Sequence, residues 1–321
     1  MRDLLTCIGE ILIDFLPIEE HNETVGFRMR PGGGPFNVAV GLARLGRPTA
    51  FAARLADDFF GRKLGRYLAQ QGINADFLIA DSSAPTTLAF VASEDGEPAF
   101  TFYGEGAADT RLTPADLPVA FFERSAILHF GGISLLRGST PDTVETAIGQ
   151  LAGKALISFD PNMRPALIRD EAAYRARIAR CLAHSDLLKV SAADLAWLAP
   201  GQPAEDVARE LLAQGPALIT LTLGGAGAVA LRATEAGVER LYADGFPITV
   251  ADTVGAGDSF SAGMLAALHE RGVVSRAALL ALPAAAITEC LRFAAAAAAI
   301  TCTRLGADPP TRAEVVALLE V

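Results

Sequence analysis

From about residue 120 onward, short apolar runs alternate with amphipathic stretches of helix length. AILHFGG (126–132), ALISFD (155–160), DLLKVS (186–191) and ALITLTL (217–223) are nearly continuous in apolar character, as strands buried on both faces are. Between them come a helical pattern opening at Thr140-Pro141, read as an N-cap with Pro at N1, then YRARIARCLAHS (174–185) and AEDVARELLAQG (204–215). This alternation predicts βαβ units and a parallel sheet covered by helices on both sides. LLTCIGE (4–10) and TAFAARLA (49–56) add strands to the same sheet. Two segments break the rhythm. Residues 11–31 and 86–104 are β-rich without intervening helices (ILIDFLPI, VGFRMR, TTLAFVAS, AFTFYG) and predict antiparallel strands that pair with each other. The expected organisation is an α/β core of 1–10, 32–85 and 105–321 carrying a small β lid of 11–31 and 86–104.

Composition narrows the function. Apolar residues make up 51% of the 321 and charged residues 20%, which supports a sizeable core and argues against disorder. A balance of 27 basic against 37 acidic residues gives net −10, the wrong sign for gripping phosphate backbones or anionic lipid. Nucleic acid and membrane surfaces are therefore excluded as partners. Cys7, Cys181, Cys290 and Cys302 form no C-x-x-C pair and read as small buried hydrophobes in a reducing compartment. Glu10 and Asp14 interrupt the first apolar stretch, and Pro283, Glu289 and Arg292 interrupt the Ala-rich tract 277–300. The expectation is a soluble, cytoplasmic protein.

Three glycine-rich segments carry candidate chemistry. In DTVGAGDSF (252–260) a turn through Gly255, Ala256 and Gly257 leads into an apolar helix. Small residues at a helix start let backbone N–H groups converge on an anion, aided by the helix dipole. Asp258, in the first turn, reads equally as a dipole-compensating acid or as a general base beside an anion hole. In PGGGPFNVAVGLARLG (31–46) a glycine turn precedes a helix, and Asn37 offers both a donor and an acceptor to a polar small molecule. TLGGAGAVA (222–230) formally matches a dinucleotide fingerprint through Gly225, Gly227 and Ala230. It continues as a hairpin pattern rather than a helix, so hydride transfer is rejected. No G-x-x-x-x-G-K-[ST] or G-x-S-x-G occurs, and the four histidines are scattered.

Taken together, in this order and spacing, these segments resemble the ribokinase-like (PfkB) carbohydrate kinase family over essentially the whole chain. FDPNMRPALI (159–168), KVSAADLAWL (189–198), FTFYGEGAAD (100–109) and the C-terminal GADPPTRAEVVALL are similar to its bacterial fructokinase branch. The resemblance implies a Rossmann-like three-layer core with a mostly parallel central sheet and a β-sheet lid, and transfer of the γ-phosphoryl of ATP to a sugar hydroxyl with Mg²⁺ on the nucleotide. It implies Asp258 as base and the N–H groups of Gly255, Ala256 and Gly257 as the anion hole. Sugar recognition falls to Asp14, Gly33, Asn37 and Arg164, with Tyr103 stacking from the lid. Lys189, Ser191, Thr222, Gly224 and Gly227 would face the nucleotide. Asp194 would reach Mg²⁺ through water, and Asp252 with Val254 would form a loop for K⁺. Four positions depart from the family pattern. Ser191 and Asp194 stand where ribokinase-type members carry Asn and Glu, Ala295 falls where an adenine-side Asn is expected, and Gly104 replaces a lid Arg. In relatives acting on 2-keto-3-deoxygluconate an Arg of that kind meets the carboxylate. Its loss implies a neutral sugar, fructose first, unless Arg28 or Arg30 substitutes. The alternatives are a kinase for that sugar acid, a ribose derivative or a nucleoside, and a non-catalytic sugar- or nucleotide-binding regulator. The exposed face of the lid implies a homodimer.

Overall fold

The computed structural model describes residues 2–21, 23–94 and 97–320, so positions 22, 95 and 96 of the expected lid lie outside the described residues. The chain opens with β1 (Leu4–Ile8), β2 (Leu12–Glu20) and β3 (Glu23–Gly32), then α1 (Gly34–Arg44), β4 (Thr49–Ala56), α2 (Phe59–Gln70) and β5 (Leu78–Asp81). Next come β6 (Thr87–Glu94), β7 (Glu97–Tyr103), α3 (Val119–Arg124), β8 (Ser125–Gly131), α4 (Thr140–Leu151), β9 (Leu156–Asp160) and α5 (Glu171–His184). They are followed by β10 (Leu187–Ser191), α6 (Ala192–Leu198), α7 (Ala204–Leu212), β11 (Leu218–Thr222), β12 (Ala228–Thr234) and β13 (Gly237–Ala243). Four helices close the chain: α8 (Ala256–Glu270), α9 (Arg276–Leu280), α10 (Ala284–Cys302) and α11 (Arg312–Leu319).

The apolar runs form a nine-stranded sheet in the order β13-β12-β11-β10-β9-β8-β1-β4-β5. Pairing is parallel from β11 to β5, and β12 and β13 add the antiparallel hairpin read from 228–243. Alternation along β1 feeds two separate cores. Leu5 and Cys7 join a cluster with α1, α8 and α10, whereas Leu4 and Ile8 join one with α4, α5 and α7. This is the expected three-layer arrangement. The strand order reverses between β8 and β1, and in open α/β sheets the crevice beyond the carboxyl ends at such a point is where ligands bind.

Helix α8 is clamped on both sides. A Cβ added to Gly41 of α1 would lie 2.6 Å from Ala262 Cβ, and one added to Gly263 would lie 2.8 Å from Ala294 Cα of α10. Thr301 and Ser259 share a 2.7 Å hydrogen bond across the second contact. Among the described residues α10 is the one helix long and apolar enough to cross a membrane, yet its Ala294 and Ala296 are buried in this core.

Two expectations need correction. The hydroxyl of Thr140 donates to Asp109 O at 2.7 Å and accepts from Leu112 N, so Thr140 is the first residue of α4 and Ser139 occupies the N-cap. The second sheet, in the order β3-β2-β6-β7, is antiparallel within each hairpin, but β2 and β6 run parallel, with Leu12 opposite Thr87 and Asp14 opposite Ala89. Each of these strands is the first of its hairpin and leaves the core in the same direction, which makes the pairing parallel.

Candidate active site

A cleft of about 610 Å³ opens where the carboxyl ends of β1, β9, β10 and β11 meet the second sheet and the start of α8. Its floor is the Gly255 turn. Gly255 caps α8 in the left-handed region, φ 77°, and a Cβ there would lie 2.7 Å from Ala307 Cα. The N–H of Ala256 closes this turn on Thr253 O at 3.2 Å. The N–H groups of Gly255 and Gly257 have no hydrogen-bond partner among the described residues and line the cleft at the positive end of α8. The N–H of Ala256 is therefore engaged within the turn and is not a free donor.

Asp258 is buried in the first turn of α8. Asn37 Nδ2 donates to its Oδ2 at 2.8 Å, and Asn162 Nδ2 stands 3.5 Å from Oδ1. Burial pushes its carboxyl up to about 6; the negative charge of Asp160 adds to this, while Asn37, Lys189 and Arg164 oppose it. Asp14, half-buried on β2, is pushed up to about 7, first by burial and then by the charge of Asp258, with Arg164 opposing. A Cβ on Gly32 would lie 2.1 Å from Asp14 Oδ2, so the glycine of the neighbouring strand makes room for this carboxylate. Two carboxylates and an arginine thus share one cleft with two free N–H donors. Such a set can take a proton from a hydroxyl while holding a developing anion.

The chain matches the model of the pfkB family carbohydrate kinases over residues 2–314. The chain belongs to this family. It is 38% identical to a fructokinase of Rhizobium leguminosarum bv. trifolii over 85% of this chain and 82% of that protein. A fructokinase of Xylella fastidiosa solved with bound ATP superposes with a TM-score of 0.90 at 30% identity, covering 100% and 99% of the two chains. A fructokinase of Vibrio cholerae O395, solved with fructose, ADP and calcium, gives a TM-score of 0.86 at 28% identity and 99% coverage of both. The protein is an ATP-dependent sugar kinase, a phosphotransferase acting on a sugar hydroxyl.

The remaining expected residues of the kinase fall into three groups. Gly33, Asn37 and Arg164 line the cleft with Asp14 and Asp258, as do Lys189, Ser191, Thr222 and Gly224. Arg164 is held by Asn162 Oδ1 at 2.6 Å and by the carbonyls of Asn162 and Met163. Lys189 Nζ lies 2.9 Å from Asp160 Oδ2. Burial works against its charge, but Asp160, with Asp194 behind it, more than compensates and holds the ammonium above its ordinary value.

Other residues are directed elsewhere. Asp194 lies behind the cleft wall. Its Oδ1 accepts from Met163 N at 2.9 Å and its Oδ2 from Ser191 N and Oγ at 2.8 and 2.6 Å, so it caps α6 and anchors the 163 loop instead of facing a metal's water shell. Gly227 does not line the cleft, and a Cβ there would lie 2.1 Å from Ala243 O, which reserves this hairpin position for glycine. Asp252 shapes its loop by accepting from Val254 N at 3.1 Å and Gly306 N at 2.8 Å. Ala295 is buried in the core on α10. Tyr103 is 64% exposed on the outer face of the second sheet against Phe90, and its neighbour Phe102 lines the cleft instead. Arg28 and Arg30 are exposed on β3 and do not line the cleft.

Sequence reasoning passed over Glu10, Asp160 and Asn162 as site residues. Glu10 accepts from Gly34 N at 2.9 Å and Ser134 N at 3.0 Å, tying the start of α1 to the loop after β8. Its position directly after an apolar strand and a glycine was the available signal. Asn162 takes φ 39°, a conformation Asn tolerates and larger residues avoid.

Proposed function

We propose that this kinase phosphorylates fructose, with Asp258 as the base. The reading is carried by one observation: Asp258 lies between Asn37 and Asn162, beside the unpaired N–H groups of Gly255 and Gly257, in the same cleft as Asp14. Asp14 accepts from two neighbouring sugar hydroxyls, and Gly33, Asn37 and Arg164 complete the sugar side. The acceptor hydroxyl then sits against Asp258, which takes its proton as the bond to phosphorus forms. The N–H groups of Gly255 and Gly257 hold the charge growing on the transferring phosphoryl group. ATP lies along Thr222, Gly224, Ser191 and Lys189. Mg²⁺ enters with it as MgATP. Potassium fits the loop at Asp252 and Val254, whose main-chain oxygens accept no hydrogen bond among the described residues. The segments 11–31 and 86–104 serve as the lid over the core of 1–10, 32–85 and 105–321.

A neutral sugar is favoured because Gly104 supplies no cation, and a Cβ there would already lie 2.9 Å from Thr87 Oγ1. The outer face of the lid, with Phe27, Val25 and Tyr103 exposed, is the surface of a homodimer in a cytoplasmic enzyme. Coupled ADP release is measured with saturating MgATP and fructose, ribose, 2-keto-3-deoxygluconate, a nucleoside or no acceptor, with and without potassium. Fructose is expected to give the highest kcat/KM, and a preference for the acid sinks the neutral-sugar reading. Asp258→Asn is expected to abolish turnover while ATP and fructose still bind. A single sedimenting species near 33.5 kDa refutes the dimer.

A further inference from the structure

Behind Asp258 lies a set of buried charges whose effect on the base the reaction above does not address. Asp160, at the carboxyl end of β9, is only 3% exposed and meets two neighbouring elements and the loop that follows it. Lys189 Nζ of β10 lies 2.9 Å from its Oδ2, Ser261 Oγ of α8 donates to the same oxygen at 3.3 Å, and Asn162 N donates to Oδ1 at 3.1 Å. Every one of these partners flanks the base. Ser261 follows Asp258 on α8, Asn162 stands 3.5 Å from Asp258 Oδ1, and Lys189 Nζ is 2.9 Å from where a Cβ on Gly257 would be.

We propose that Asp160 and Lys189 are a positioning pair that holds the Asp258 carboxylate, through Asn162 and the first turns of α8, between one fixed negative and one fixed positive charge. A buried ion pair adds little net stability over apolar side chains, so its place under the base needs another reason. The groups facing Asp258 come from the elements around it: Asn37 from α1, Asp14 from β2, Asp160 from β9, Arg164 from the loop after it, and Lys189 from β10, with the Glu10 carboxylate after β1 sharing the space beside Gly34. His129 of β8, close to Lys189, is driven down to about 3 by burial and carries no charge near neutrality. Within this set Asp160 disfavours the ionised base and Lys189 favours it.

The inference rests on Asp258 being the base, and the experiment separates the two. The pH dependence of kcat is measured with full-length enzyme at saturating fructose and MgATP, so that bound sugar already engages Asp14. Asp160→Asn keeps the size and one acceptor oxygen but removes the negative charge. Its acid limb is expected to move to lower pH by roughly half a unit or more. Lys189→Met removes the positive charge and is expected to move the limb to higher pH by a similar amount, whatever it does to the maximal rate through the nucleotide. Opposite shifts cannot come from a loosened fold, and each variant decides by itself if the other does not fold. A limb left in place, or both limbs moving the same way, overturns the pair. If Asp258→Asn keeps its turnover, the base assignment fails instead, independently of where the other limbs lie.

Discussion

Replacing Gly255 by Ala tests whether the turn before α8 is the phosphoryl site. The wild-type residue sits at φ 77°, which costs an L-residue about 1–2 kcal/mol. The new methyl would also lie 2.6 Å from Ala307 Cβ and 2.7 Å from its Cα, a contact that cannot relax by side-chain rotation. Overpacking of this kind costs about 1–3 kcal/mol, so a total near 2–5 kcal/mol is expected. Ala307 cannot retreat freely, because Gly306 N is tied to Asp252 Oδ2 at 2.8 Å in the very loop that leads to Gly255. The strain therefore falls on the donors themselves. Loss of one donor from such a site costs roughly 10²–10³ in kcat. The assay is steady-state ADP release with fructose, alongside thermal unfolding and equilibrium ATP binding. Gly224→Ala is the control, since it also has positive φ and lines the cleft, but a Cβ there meets nothing within 4 Å. If Gly255→Ala keeps kcat within about threefold of the parent while Gly224→Ala behaves alike, the anion-hole argument is wrong.

Further predictions follow from the same geometry. The wild-type kcat should fall as pH drops through about 6, because Asp258 must be ionised to accept a proton and burial raises its value; a flat profile through that range contradicts this. Phe102→Ala should raise the KM for fructose about tenfold, equivalent to ~1.4 kcal/mol of lost apolar contact, whereas Tyr103→Ala should leave KM within about twofold. Glu10→Ala strands the N–H groups of Gly34 and Ser134 in a buried site. A loss of about 2–5 kcal/mol in unfolding free energy is expected from denaturant titration, with Glu10→Gln milder because one oxygen remains.

The parallel core was readable because doubly buried strands leave continuous apolar runs, and β12 and β13 were readable because 228–243 changes to a hairpin pattern. The direction of β2 against β6 was not, since it depends on how each strand leaves the core. That Phe102 rather than Tyr103 lines the cleft was not readable, because AFTFYG is aromatic on both phases and nothing local says which phase faces inward. Asp258 and Asn37 announced themselves through their glycine turns. Asp160, Asn162 and Glu10 did not, because their roles arise from contacts across the sheet: Asn162 meets Asp258 over 96 positions, and Glu10 meets Ser134 over 124.

The tight seating of α8 between Gly41 of α1 and Ala294 of α10 leaves the proposed base, Asp258, and the N–H groups proposed to hold the phosphoryl group on a foundation with almost no slack. Asp14 and Phe102, by contrast, stand on strands of a separate four-stranded sheet. On the proposed roles, the chemistry is thereby mounted on the core, while part of acceptor choice, through Asp14 and Phe102, sits on a different part of the molecule. A lineage can exchange residues on β2 and β7 to adopt a new acceptor without disturbing the helix that performs the transfer. The same division tells an engineer where to begin: randomise the cover and leave the foundation alone.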